Sequence, residues 1–193
     1  AETYVGVDWS GDAWLAVAYT ADGFDHAAVF DSVGELWSRY EESAERIAID
    51  VSIGLESSDA VRPNERLARR LLGDRVDDII STPVREAARK HRYRTASRVH
   101  ERKTGQELSR RAFETTPFVA AVDEFLAAID DARPIFVEAH PELCYLAFEG
   151  APMAEPAAYA AGYAERMRTL AAFDRDAPPT VQAVAESTEG RRI

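Results

Sequence analysis

Short apolar runs separated by turn residues dominate the first third of the chain, and this pattern predicts sheet structure. Residues 4–8 form one such run, and residues 13–19 follow it after a Ser-Gly turn. Apolar runs of this length, closed by turn residues, favour strands over helices. We therefore expect 4–8 to be a buried strand that pairs antiparallel with 13–19, and a third strand to follow at about 25–30.

The same periodicities predict the rest of the fold. Ser32 with Glu35 three residues later is a capping box, which predicts that a helix begins there. A fourth strand is expected at 46–53, and residues 54–132 read as helices and loops. A fifth strand is expected to begin at Pro134 and to end at Glu138. Helical spacing returns at 155–173, and the last twenty residues show no clear period. This order of elements predicts an α/β fold.

Three of the apolar runs end in a carboxylate, at Asp8, Asp50 and Glu138. A charge at the end of a buried strand is costly unless it is paired, hydrated or bound to a metal. If these strands are parallel neighbours, their acids meet at the sheet edge where α/β proteins bind ligands. Carboxylate oxygens favour Mg²⁺ or Mn²⁺. One or two such ions could activate water for phosphodiester cleavage.

Each candidate residue also has a structural interpretation. Asp8 could accept a hydrogen bond in an Asx-turn, and Glu138 could pair with a buried arginine. Glu142 is explained equally well as a fourth metal ligand and as an acid in the first turn of a helix. His140 is interpreted as a structural hydrogen-bonding residue, and Cys144 as a core residue.

The charge of the chain is large and uneven. The net charge is −11, and only two lysines stand beside 21 arginines. An acid-rich, lysine-poor composition resembles that of proteins from salt-loving microbes. Residues 85–111 contain ten Lys or Arg against three acids, so this segment carries +7 and the rest −18. Such an excess predicts a phosphate-bearing partner, here nucleic acid. The candidate substrate-binding residues are Arg85, Arg94, Arg98, Arg102, Lys103 and Arg110.

Length and composition limit the protein classes. A chain of 193 residues with 46% hydrophobic content can build one sizeable core. The single cysteine excludes an internal disulfide and a cysteine-rich zinc site. No run approaches the roughly 20 apolar residues of a membrane span, and residues 1–3 do not resemble a secretory signal. We expect a cytoplasmic protein without a membrane partner, built as one domain over 1–193 with a helical, basic insertion at about 56–132.

The ordered motifs resemble a known family, the predicted RNase H-like nucleases called domain of unknown function family 429. The resemblance spans roughly residues 4–170. The matching motifs, in chain order, are Gly6-Val7-Asp8 with Trp14, Ile49-Asp50-Val51-Ser52-Ile53-Gly54-Leu55, Arg62 with Ala68 and Arg69, Thr82-Pro83-Val84-Arg85, Gly105 with Ser109, and Glu138-Ala139-His140-Pro141-Glu142. The last motif is the most specific, because Glu-x-His-Pro-Glu is uncommon by chance.

The sequence departs from the family pattern at several positions. Ser52, Glu65 and Arg111 stand where proline, aspartate and glutamine are usual. The lysine expected shortly before Gly162 is absent, and the acid-rich closing helix of the family is not recognisable. In the family that closing helix supplies a late acid, for which Asp174 and Asp176 are weak substitutes in this sequence.

The resemblance implies a fold and an activity. The implied fold is an RNase H-like mixed sheet of order 3-2-1-4-5, flanked by helices, with a helical insertion between strands 4 and 5. The implied activity is a metal-dependent nuclease, in which Asp8 and Asp50 hold the first metal and Glu138 completes the site. Two alternatives stay open: an ATP-dependent phosphotransferase of the related actin and sugar-kinase fold, and a non-catalytic nucleic-acid-binding module with a degenerate site. Against the phosphotransferase, no Gly-rich phosphate loop follows Asp8. The oligomeric state does not follow from the sequence.

Overall fold

The computed structural model describes residues 2–11, 13–58 and 61–188 of the chain. The chain forms two compact units, of which unit 1 comprises Ala1–Asp50 with Pro134–Ile193 and unit 2 comprises Val51–Arg133. By sequence, unit 1 contains 20 acidic and 7 basic residues, a net charge of −13, whereas unit 2 contains 14 and 16, a net charge of +2. The assignment of the whole chain to a single domain stays a prediction.

Unit 1 is built on a five-stranded mixed sheet. The strands are β1 (Thr3–Ser10), β2 (Ala13–Thr20), β3 (Gly23–Phe30), β4 (Ala44–Ile49) and β5 (Phe136–Glu138). Their order is β3-β2-β1-β4-β5. Strand β1 pairs antiparallel with β2 and parallel with β4, and β4 pairs parallel with β5. The predicted RNase H-like topology is therefore confirmed, with the helical segment between β4 and β5.

Nine α-helices are described. They are α1 (Val33–Tyr40), α2 (Pro63–Leu72), α3 (Arg85–Ala88), α4 (Tyr93–Thr104), α5 (Arg110–Glu114), α6 (Thr116–Ala128), α7 (Pro141–Glu149), α8 (Ala160–Phe173) and α9 (Ala177–Ser187), with 3₁₀ turns at Gly73–Asp78 and Asp130–Ala132. The predicted capping box begins α1, where Glu35 N–H donates to Ser32 Oγ at 3.2 Å. Within 2–11, 13–58 and 61–188, no helix is both long enough and apolar enough to cross a bilayer.

The core of unit 1 lies on one face of the sheet. Val5 and Val7 are buried on β1, whereas Tyr4 and Asp8 alternate with them and are exposed. The expectation of a buried first strand therefore holds for one of its faces, because the period-two alternation of a strand buries only one set of side chains here. Helix α1 supplies the opposite side of the core, and its Trp37 ring lies 6.0 Å from the Phe136 ring.

Several predicted boundaries shift in the structure: β5 begins at Phe136 and not at Pro134, and α8 begins at Ala160 and not at residue 155. Strand β4 ends at Ile49 instead of continuing to residue 53. Val51 and Leu55 are nevertheless buried, so their apolar character reflects packing outside the sheet. Helix α9 occupies part of the C-terminal stretch in which the sequence showed no clear period.

Unit 2 contains a buried polar cluster formed by residues of the family motifs. Glu65 and Arg62 are about 95% buried, and Thr82 is nearly as well covered. The backbone N–H of Thr82 donates to Glu65 Oε1 at 3.1 Å, and the Ser52 and Thr82 hydroxyls lie 2.6 Å apart. Buried polar groups are stable when they bond to one another in this way. The motif residues of this unit therefore have a structural role in joining α2 to the loops around it.

Candidate functional site

The strand register brings Asp8 and Asp50 to neighbouring positions. Val7 pairs with Ile49 at the end of the parallel β1–β4 ladder. The Asp50 N–H donates to the Val7 carbonyl at 2.9 Å, so the two strands stay aligned for one further residue. Asp8 follows Val7 and Asp50 follows Ile49, so the two acids occupy equivalent positions on neighbouring strands. Their carboxylates are therefore carried by the same edge of the sheet.

Glu138 lies at the same edge on the next strand. It pairs with Ile49 in the β4–β5 ladder, and the following Ala139 N–H donates to the Ile49 carbonyl at 2.9 Å. All three strand-end acids of the sequence analysis are thus brought together by one ladder of parallel strands. Their assignment as catalytic and metal-binding residues stays a prediction.

The three acids interact through their charges. Burial raises the pKa of Asp50, and the charges of Asp8 and Glu138 raise it further, to about 7. Asp8 is exposed on its strand, but neighbouring groups still partly desolvate its carboxyl, and this partial burial raises its pKa. The Trp9 N–H, which donates to Asp8 Oδ1 at 2.7 Å, and the nearby His140 act in the opposite direction and lower it. In the protein alone, about half of the Asp50 carboxyls therefore hold a proton at neutral pH.

The chemistry of this edge fits a hard divalent cation. Clustered carboxylates repel one another, and a cation offsets that repulsion. In the part of the chain that the structure describes, however, no three Asp, Glu, His or Cys side chains already stand in a metal-binding arrangement. Mg²⁺ commonly keeps several waters and uses only one or two protein carboxylates. Asp8 and Asp50 are two carboxylates carried by adjacent strands at this edge.

Helix α7 begins directly beyond the acidic edge. His140 caps it by accepting the Glu142 N–H on Nδ1 at 3.2 Å, as expected for a structural hydrogen-bonding residue. One turn further on, burial raises the pKa of the Cys144 thiol, and the Asp50 charge raises it again. Cys144 is therefore close enough to interact electrostatically with Asp50. It is exposed, so the prediction that it is a core residue is wrong.

Glu142 forms a buried ion pair with Arg166 of α8. Arg166 Nη2 donates to both carboxylate oxygens at 2.7 and 2.6 Å, and Nε donates to Oε1 at 2.9 Å. Arg166 Nη1 donates to the Glu155 and Gly162 carbonyls. Because both of its oxygens bind Arg166, Glu142 is better explained as the anchor of α7 than as a fourth metal ligand. The sequence indicated Gly162 as a family position but did not indicate Arg166 as the partner of Glu142.

Several of the candidate substrate-binding residues form ion pairs within unit 2. Arg85 binds Asp123 through two hydrogen bonds of 2.9 and 3.1 Å. Lys103 lies 3.0 Å from Glu86, and Arg102 lies 3.5 Å from the same carboxylate. Arg110 lies over the Tyr93 ring at 4.3 Å. These contacts account for part of the excess positive charge that the sequence assigned to a partner.

The central part of α4 keeps uncompensated arginines. Arg94 and Arg98 are exposed, and neither forms an ion pair or side-chain hydrogen bond with the residues described. With Arg102 they recur every four residues, which places all three on one face of the helix. The opposite face packs through Ala96, Val99 and His100. We call Arg94, Arg98 and Arg102 the α4 arginine row.

Fold and site together define an α/β protein of RNase H-like topology with three carboxylates at one edge of its sheet. The family model for "Protein of unknown function (DUF429)" matches residues 6–193. The chain belongs to this family. No curated protein and no solved structure matched the sequence in the corresponding searches.

Proposed function

We propose that this protein is a metal-dependent nuclease that hydrolyses phosphodiester bonds at the edge formed by Asp8, Asp50 and Glu138. The observation that carries the proposal is the strand register, which ends the neighbouring parallel strands β1, β4 and β5 with Asp8, Asp50 and Glu138 at one edge of the sheet. The pKa of Asp50, raised to about 7 by burial and by the two other acids, agrees with it. A fold that places three carboxylates within range of mutual repulsion accepts a cost in stability. Strongly perturbed acids of this kind concentrate at functional sites.

The residues have distinct roles in this proposal. Asp8 and Asp50 supply the carboxylate oxygens that hold Mg²⁺ or Mn²⁺, and Glu138 supplies a third at the same edge. A bound divalent cation supplies Lewis acidity and lowers the pKa of water. Asp50 loses its proton when the cation binds, so binding becomes weaker below pH 7. Glu142 and Arg166 hold the start of α7, and with it His140, against this edge.

Nucleic acid is the proposed substrate, held by the α4 arginine row. Arginine suits this role because its guanidinium donates two parallel hydrogen bonds to a phosphate. Arg85 and Lys103 are less suited, since their charges are directed at Asp123 and Glu86. Arg102 of the row also lies 3.5 Å from Glu86, so Arg94 and Arg98 supply most of its uncompensated charge. Arg110 is also partly engaged, with Tyr93.

A non-catalytic nucleic-acid-binding module is the second candidate. One observation favours it: among the described residues, no three Asp, Glu, His or Cys side chains are arranged to hold a metal ion. In that case, the acids would be a remnant of a lost active site. The two candidates differ in whether the protein binds Mn²⁺ and cleaves, or only binds nucleic acid.

The test combines a metal-binding measurement with a cleavage assay. Purified protein is titrated with Mn²⁺ in a calorimeter and incubated with labelled single- and double-stranded DNA and RNA, in Mg²⁺, Mn²⁺ or EDTA. We expect Mn²⁺ binding and cleavage that EDTA abolishes, and loss of both in Asp50→Asn. Asp22→Asn, the same change in the exposed β2–β3 turn, is the matched control. Oligonucleotide binding without Mn²⁺ binding or cleavage would establish the second candidate.

A further inference from the structure

Two phenylalanine rings are stacked at the surface of unit 1. Phe148 of α7 and Phe173 of α8 have ring centroids 4.5 Å apart, tilted by 38°. Phe148 is 43% exposed and Phe173 is 63% exposed. Large aromatic side chains usually bury most of their area. A pair of phenylalanine rings exposed to solvent therefore indicates a surface that binds a ligand or another molecule.

The pair stands on a rigid base. The Tyr145 ring meets Phe148 edge-on at 6.5 Å, and Arg166 lies over the Tyr145 ring at 5.6 Å. Arg166 is itself fixed by the buried ion pair with Glu142. The position of the exposed rings is therefore set by buried contacts, which lowers the entropy cost of binding a ligand against them.

The pair also lies close to the acidic edge along α7. Phe148 follows Cys144 by four residues, so both lie on the same face of the helix, about 6 Å apart along its axis. Cys144 lies one turn beyond His140, the N-cap of α7, and the preceding Ala139 N–H donates to the Ile49 carbonyl next to Asp50. The charge of Asp50 also acts on the Cys144 thiol. The aromatic pair is thus about one helical turn beyond the residue that adjoins the candidate site.

Charge restricts what this surface can bind. Unit 1 has a net charge of −13, which repels phosphate groups except where a cation offsets it. The uncharged bases are the part of a nucleic acid that such a unit can contact favourably. Bases stack on aromatic side chains without regard to sequence, provided that they are unpaired.

We propose that Phe148 and Phe173 form a stacking platform for an unpaired base of a single-stranded nucleic acid. This inference rests on the proposed nuclease function and narrows its substrate to single strands or single-stranded regions. The platform holds a base beside the acidic edge, so that the neighbouring phosphodiester lies at Asp8 and Asp50. A duplex keeps its bases stacked internally and gains nothing from the platform.

The test removes the aromatic faces and keeps the apolar volume. The double variant Phe148→Leu/Phe173→Leu is compared with wild type and with Phe24→Leu, a similarly exposed phenylalanine on β3. Binding is measured by fluorescence anisotropy in Ca²⁺, with a labelled oligodeoxyadenylate and an abasic strand of equal length and charge. We expect the double variant to lose roughly 5- to 150-fold in affinity for oligodeoxyadenylate. Binding of the abasic strand and the behaviour of Phe24→Leu should be unchanged.

The other outcomes overturn the inference in distinguishable ways. Equal affinities of the double variant and wild type for oligodeoxyadenylate, with cleavage intact in wild type, would remove the platform and leave the nuclease in place. A dimer in sedimentation that the double variant converts to a monomer, with unchanged affinity, would make this surface an interface between two copies. Wild-type protein that binds neither strand and no Mn²⁺ would remove both proposals.

Discussion

Asp50 shows how one residue can link stability to the proposed chemistry. Its backbone N–H extends the β1–β4 ladder by one bond, while its carboxyl group lies among two other acids. The pKa of about 7 in the folded protein exceeds the usual value near 3.8. A raised pKa means that folding favours the protonated acid. The contribution to stability is complete below pH 4 and is lost as the pH rises through 7.

Asp50→Asn should therefore stabilise the metal-free protein. In the proposed mechanism, the same change should abolish metal-dependent cleavage. Asparagine keeps the size of aspartate but carries no charge to repel Asp8 and Glu138. We expect the gain in unfolding free energy to be small at pH 4, to grow towards pH 7, and to level off near about 2–4 kcal/mol above it. Urea unfolding of both proteins in EDTA at several pH values measures this difference. A constant difference across the series would show that Asp50 is an ordinary surface acid.

Gly162 is a second residue whose environment allows a sharp test. A Cβ atom at this position would lie 2.0 Å from the Pro156 carbonyl oxygen, and no rotation of a side chain can relieve a clash with backbone. We expect Gly162→Ala to reduce the unfolding free energy by about 1–3 kcal/mol or more. Gly34→Ala is the matched control, because its nearest neighbour in α1 would be Ser32 Oγ at 3.9 Å. That change should raise stability by up to about 1 kcal/mol.

Among the elements, α4 most clearly separates residues that pack in the core from the arginines that we propose to bind nucleic acid. Its buried face is small and apolar apart from His100, and its exposed face carries the arginine row. The arginines of the row add little to packing. Their removal can therefore be tested without unfolding the helix.

Changing Arg94, Arg98 and Arg102 together to Ala should weaken nucleic-acid binding and reduce its salt dependence. Each lost phosphate contact lowers the slope of log K against log salt by about 0.7 on single strands, so the slope should fall by about 2. Alanine favours helix, so the melting temperature should change little. Arg39, Arg46 and Arg168 changed together to Ala in unit 1 are the control for loss of charge. Identical slopes in wild type and the α4 variant would make the row a solvated helix face.

The elements that sequence patterns predicted well are those with a strong period or a clear boundary. Strands β1 to β3 and the capping box of α1 were predictable in this way, whereas the order of the sheet was implied by the family resemblance. The end of β4 was not, because Val51 and Leu55 are buried without pairing in the sheet. Helix α9 was missed because only Ala177 among its residues is buried, so packing imposes little apolar period on it.

The sequence predicted the three acids of the candidate site but not the ion pairs around it. Acids at the ends of neighbouring parallel strands lie at one edge of the sheet, so Asp8, Asp50 and Glu138 could be placed together. The sequence did not indicate that Glu138 pairs with Ile49, one residue before Asp50. The partner of Glu142 could not be identified, since Arg166 approaches from a helix 24 residues later. The ion pairs of Arg85 and Lys103 were equally hidden, because a count of charges in 85–111 omits Asp123 and cannot show that Glu86 pairs locally.

For the whole molecule, the dominant feature is the concentration of negative charge in unit 1. A net charge of −13 on this unit implies strong self-repulsion at low ionic strength. Salt screens such repulsion within about 10 Å at 0.1 M and within about 3 Å at 1 M. The stability of the metal-free protein should therefore depend on ionic strength.

Raising KCl from 0.05 to 1 M should increase the unfolding temperature by several degrees. A domain of this size gains about 2–4 °C for each kcal/mol of added stability. Calorimetric scans in EDTA at several KCl concentrations measure the effect, and sucrose of equal osmolality is the uncharged control. An unfolding temperature that is flat or falls with KCl would contradict both the repulsion argument and the expectation of a salt-adapted protein.

The exposed Cys144 is also a natural attachment site for a spectroscopic label. It is the one thiol of the chain, and it lies within electrostatic range of Asp50. A nitroxide attached there needs no engineered cysteine. Paramagnetic Mn²⁺ held at Asp8 and Asp50 should broaden the nitroxide signal through space. The same label on Asp50→Asn should keep its sharp lines at equal Mn²⁺. The difference between the two spectra would measure Mn²⁺ binding at this edge before any substrate is found.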